Sequence, residues 1–161
     1  MKNTLKKLHF VIFLSFVFSG YSIAQNAQLS KGPINFGRVQ AEVWGSYEMT
    51  PMLFPRGIWK FCVIVVPRTV RQGDLIEISK QLYSEHPGMR VRFFSDKENI
   101  QQYVDRDIYV NDSTGTAREV AFPDSTWVRN HLLGNINNRS QQHSRQWMLE
   151  NRYGSMIQLL F

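Results

Sequence analysis

Hydrophobic and polar positions alternate or cluster along most of this chain in ways that predict its elements. Val39, Ala41 and Val43 alternate with Gln40, Glu42 and Trp44, the period-two pattern of a half-buried strand. The segment from Gly45 to Gly57 holds Pro51, Pro55 and two glycines and reads as a loop, with Met49, Met52, Leu53 and Phe54 covering a sheet edge or lining a groove. Ile58 to Val66 is apolar on both faces and closed by Pro67, which predicts a central strand covered on both sides. Thr69-Val70-Arg71-Gln72 has the spacing of a capping box, and Leu75, Ile78, Leu82 and Tyr83 form one stripe of a helix stopped by Pro87-Gly88.

Met89 to Phe93 alternates as a further strand. Ser95-Asp96-Lys97-Glu98 repeats the capping-box spacing ahead of a short helix carrying Ile100, Tyr103 and Val104. Short strands are expected at 107–110 and around Val120 and Phe122, separated by a polar turn over 111–116. Pro123-Asp124-Ser125 opens a third helix with Trp127, Val128, His131 and Leu132, for which Gly134 is the expected C-cap. Gln146–Glu150 and Ser155–Leu160 flank a glycine-containing turn, which predicts a hairpin at the C-terminal end. The fold class expected is therefore α/β or α+β: a single small sandwich with a mixed sheet, about three helices and a C-terminal β-hairpin.

The N-terminus carries a different pattern. Lys2, Lys6 and Lys7 precede an apolar run from Leu8 to Phe18, Gly20 breaks it, and Ser22-Ile23-Ala24 places small residues at −3 and −1 before Gln25. Basic, apolar, small-x-small is the order of a secretory signal peptide. The run is too short for a membrane span, which needs about 20 residues. The expected organisation is a signal over 1–24, a flexible lead-in over 25–33 and one globular domain over 34–161. The chain is thus expected to be exported, to a bacterial periplasm or beyond, with no stable membrane insertion once the signal is cleaved.

Export changes the charge balance. The full chain has 19 Lys+Arg against 13 Asp+Glu, but three of those lysines lie in the signal, leaving 16 against 13. The remaining basic residues are scattered, whereas a nucleic-acid reader clusters them on one face, so no nucleic-acid partner is expected. Cys62 is the single cysteine, set within Phe61-Cys62-Val63-Ile64, where it reads as a small core hydrophobe rather than a reactive thiol. A small exported domain without a disulfide suits a periplasm. The C-terminal Phe161 invites comparison with outer-membrane barrels, but these need about ten-residue alternating segments throughout, and at least two helix patterns replace them here.

Candidate chemistry is sparse. His86, His131 and His143 have no metal-ligand spacing, and no cofactor motif is present. Ser-x-x elbows of the Gly-x-Ser-x-Gly type are missing, and Asp124 and Ser125, which could be drawn into a triad with His131, are better explained as helix caps. The four tryptophans fall in expected regular elements and read mostly as core. One arrangement points to a ligand. Where the central strand ends and the first helix begins, Arg68, Thr69 and Arg71 surround free helix-start N–H groups, a setting that favours an anion. The bland alternative has these arginines paired with Asp74 or Glu77. The leading expectation is a non-enzymatic exported binding domain, such as an inhibitor, immunity or accessory protein of an envelope system. It would take another envelope protein or a small anionic ligand, with no cofactor and no metal. The alternative is a small periplasmic hydrolase with His131 or His143 as base.

Overall fold

The computed structural model describes residues 29–49, 58–111, 123–141 and 144–160. Seven strands and three helices follow in the order β1 (Gly32–Phe36), β2 (Val39–Met49), β3 (Trp59–Val65), α1 (Gln72–Glu85), β4 (Met89–Phe94), α2 (Ile100–Asn111), α3 (Ser125–His131), β5 (Leu132–Gln141), β6 (Ser144–Asn151) and β7 (Met156–Leu159). All seven strands form one sheet in chain order. Every neighbouring pair is antiparallel except β3 and β4, which run parallel because α1 carries the chain back between them. This is a small mixed-sheet α+β fold with three helices and a C-terminal strand hairpin.

The continuous apolar run of β3 is explained by helices on both of its faces. Cys62 and Ile64 point into a layer shared with Leu75, Ile78 and Leu82 of α1 and with Val91 and Phe93 of β4. Val63 points the other way, into a second layer with Phe94, Ile100, Val104 and Trp127. Cys62 is almost completely buried, and burial pushes its thiol up to about 12. The thiolate, the reactive species, is therefore suppressed.

Several boundaries differ from the sequence pattern, each for a visible reason. β1 takes in Gly32 and Pro33 of the stretch read as lead-in, and Gly37 at φ +56° makes the tight turn into β2. β2 continues to Met49, through a register shift between Val43 and Gly45, so the loop expectation fails over 45–49. A Cβ at Gly45 would lie 2.8 Å from Cγ1 of Val104, so any larger residue there would force that side chain to shift. The expected strand at 107–110 is instead the end of α2. Gly134 is not a helix cap: α3 ends at His131, and Gly134 lies inside β5. The strand expected around Val120 and Phe122, the segment 50–57, the signal stretch 1–24 and His143 lie outside the described residues.

Candidate functional site: the carboxyl ends of β3 and β4

The only parallel pair in the sheet brings two strand ends to the same edge. Val66 N–H donates to the Phe94 carbonyl at 2.8 Å, keeping the pair together past its last ladder residue. Beyond it, Val70 N–H donates to the Pro67 carbonyl at 3.0 Å, closing a turn that carries Arg68 and Thr69. Helix α1 then starts from Arg71 as N-cap, with Leu75 N–H donating to its carbonyl at 3.1 Å. The capping partner is Asp74, whose carboxylate accepts from Arg71 N–H at 3.0 Å. The Arg71–Asp74 cap thus sits two residues beyond the Thr69–Gln72 spacing, with Asp74 as the accepting side chain.

Asp74 also receives Arg38, from the β1–β2 turn, at 2.6 Å from Nη2 and 3.2 Å from Nε. The hydrogen bond from Arg38, and then that from the Arg71 backbone, holds the Asp74 carboxyl below its usual range. Arg38, Gln40, Thr69, Val70, Arg71 and Asp74 line an open cleft of about 380 Å³. Two guanidinium groups therefore border the cleft against one carboxylate.

Arg68 turns away from Asp74 and Glu77 and pairs with Asp96 at the end of β4, Nη2 to Oδ2 at 2.5 Å. Asp96 is a hub. It accepts from Glu98 N–H at 2.8 Å and from the Trp127 indole N–H at 3.2 Å as well. These donors, the Glu98 amide foremost, lower its carboxyl to about 2. The same residue begins the loop into α2, so one carboxylate ties the Arg68 turn, that loop and α3 together.

Next to Asp96, Ser95 N–H donates to the His131 carbonyl at 2.9 Å, and Ser95 Oγ lies 3.4 Å from His131 Nδ1. The His131 ring packs against Trp127, centroids 5.5 Å apart. Ser95, Asp96 and Lys97 line a second cleft of about 590 Å³, with Glu42, Val65 and Pro67 opposite. Gln40 and Pro67 border both clefts, which are therefore adjacent.

Of the residues singled out from the sequence, Thr69 and Arg71 line the first cleft together, and Arg68 leaves it for Asp96. Asp124 acts as the N-cap of α3, accepting from Thr126 N–H at 2.8 Å, and the serine hydroxyl found beside His131 among the described residues is that of Ser95. The residues that sequence reasoning missed are Arg38, Ser95 and Asp96, which reach the site from other strand ends. Only the Asp96-x-Glu98 turn left a local trace in the sequence. Among the described residues no group of three His, Cys, Asp or Glu side chains is placed to hold a metal ion, and no helix is long and apolar enough to cross a membrane. No protein-family model, no curated protein and no solved structure matches this chain.

Proposed function

We propose that the chain is an exported, non-enzymatic binding domain that takes an anionic group, of an envelope protein or of a small ligand, in the cleft at the start of α1. The observation that carries this reading is the placing of Arg38 and Arg71 with Thr69 around that cleft, where Asp74 is the one carboxylate among the described lining residues. The amino end of a 14-residue helix adds the favourable end of its dipole. Export is supported by the basic, apolar, small-x-small order of residues 1–24.

The test is a titration of the mature domain with inorganic phosphate at low salt, followed through backbone amide resonances. Thr69, Val70, Arg71 and Gln72 should shift together. Arg68→Ala with Arg71→Ala should weaken binding at least tenfold, about 1.4 kcal/mol, and Arg71→Ala alone should carry most of that loss because Arg68 is engaged by Asp96. Added salt should shrink the effect by screening. Amides that stay still, or an unchanged affinity in the double variant, sink the reading.

The contact between Ser95 Oγ and His131 Nδ1 favours a second reading, a small hydrolase in which His131 takes the serine proton as the hydroxyl attacks an acyl group. His131 then returns it to the departing alcohol or amine as the acyl bond breaks, and water releases the acid from Ser95. A fluorophosphonate probe decides it. Covalent labelling at Ser95 that disappears in His131→Gln supports hydrolysis, and an unlabelled Ser95 removes it.

A further inference from the structure

The opposite end of β4 presents a cation with no acceptor among the described residues. The strand reads Met89-Arg90-Val91-Arg92-Phe93, and its alternation sends Met89, Val91 and Phe93 into the α1 layer. Arg90 and Arg92 stand on the other face, in register with Phe61 and Val63 of β3. A guanidinium taken even partly out of water is normally paired with a carboxylate or satisfied by hydrogen bonds. Even Arg38 and Arg68, whose side chains are largely exposed, are paired with carboxylates. Arg90 is half-buried, yet among the described residues it meets aromatic rings and no carboxylate: its Cζ lies 3.9 Å from the Trp59 centroid and 5.7 Å from those of Phe61 and Trp147.

We propose that Arg90 anchors a binding site for a carboxylate carried on an apolar or aromatic body. Stacking on Trp59 uses the face of the guanidinium and leaves its in-plane N–H donors, which match the two oxygens of a coplanar carboxylate. One uncompensated guanidinium balances a single negative charge, which fits a carboxylate better than a phosphate dianion. Trp59 is half-buried and Ile58, beside it, is 65 % exposed, so the anchor has an apolar rim for the rest of the ligand, while Trp147 borders the guanidinium from the α1 side, where it packs against Tyr83. Burial, and after it the neighbouring Arg92, depress the Arg90 pKa, as expected of a cation that gains when an anion arrives. This site lies at the amino end of β4, whereas the α1 cleft lies past its carboxyl end, so the two readings stand or fall separately.

The experiment follows the indole N–H resonances of Trp59 and Trp147 while benzoate, acetate, benzyl alcohol or inorganic phosphate is added to the mature domain. Benzoate should shift both resonances and bind more tightly than acetate, and neutral benzyl alcohol should leave them in place. Arg90→Lys should weaken benzoate about tenfold, because charge remains without the fork, and Arg90→Gln should abolish its binding. Should Arg90→Gln fail to fold, Trp59→Leu replaces it, with at least a tenfold loss expected. A short peptide ending in a phenylalanine carboxylate, against its amide, separates the two sources of the group. A preference for the peptide acid over benzoate assigns a protein chain terminus, and the reverse assigns a small free acid. The proposal is overturned if benzoate moves neither indole, if Arg90→Gln binds it like the wild type, or if phosphate shifts the same resonances as strongly.

Discussion

Asp96 gathers donors from three parts of the fold onto one carboxylate. Its folded-state carboxyl titrates at about 2, below the ordinary 3.8, chiefly through the Glu98 amide, with the Arg68 and Trp127 bonds adding to it. A depressed carboxyl contributes stability that is fully present above its unfolded pKa and is lost as pH falls through its folded one. The window is therefore from roughly pH 5 down to about 2. Asp96→Asn should melt several degrees below wild type at neutral pH, and the two curves should converge near pH 2. Thermal melts across that range check it, and a constant gap between the two proteins would show that the charge of Asp96 is immaterial. The arginines differ in the same local way. Arg68 and Arg38 are tied to carboxylates, Arg71 borders the cleft, and Arg90 has rings for neighbours, although all four are the same residue type on neighbouring elements.

Among the elements, β5 departs furthest from what its residues favour. Leu132 to Gln141 holds one glycine and three asparagines, residues depleted in strands, and only Gly134 and Ile136 of its described side-chain positions are buried. It is a strand because β4 and β6 bracket it and satisfy its backbone on both sides. Gly134 makes that possible. A Cβ there would lie 2.5 Å from the Glu150 carbonyl oxygen of β6, a backbone atom that cannot swing aside. Gly134→Ala should therefore destabilise the domain by about 1–3 kcal/mol, the usual effect of forced overpacking. Denaturant unfolding measures it, and a stability equal to wild type would mean the β5–β6 pair can part freely at this point. α1 is the contrasting case. Its stripe of Leu75, Ile78 and Leu82 is buried as its periodicity requires, and its Asp74 cap lies inside its own first turn.

For the molecule as a whole, β3 is the shared wall of two apolar layers. Cys62 and Ile64 belong to the α1 layer, and Val63 to the layer of α2 and α3. Neither layer can dissolve without exposing the other side of the same strand, so the domain should unfold as one unit. Ile64→Ala should remove about 2–5 kcal/mol and lower hydrogen-exchange protection by the same amount at Ile78 of α1 and Val104 of α2. Loss confined to α1 would show that the layers open independently. The cleft at the start of α1 follows from the same architecture. It forms at the carboxyl ends of the one parallel pair, where ligands commonly sit in mixed sheets because helix starts and strand ends meet there.

The sequence by itself determined the mixed sheet, the three helices, the buried central strand with its cysteine, and the C-terminal hairpin. Each rests on local periodicity, a helix stop or a turn, signals carried within a dozen neighbouring residues. The tertiary structure decided β5, the helical state of residues 107–110 and the strand at 45–49, where pairing or packing outweighs weak local preference. It also decided the long-range partners of the site residues. Arg68 meets Asp96 from 28 positions away, Arg38 meets Asp74 from 36, and Ser95 meets His131 from 36. The arginine types were legible in the sequence. Which carboxylate answers each one depends on which strand ends the sheet lays side by side, and no short-range pattern encodes that choice.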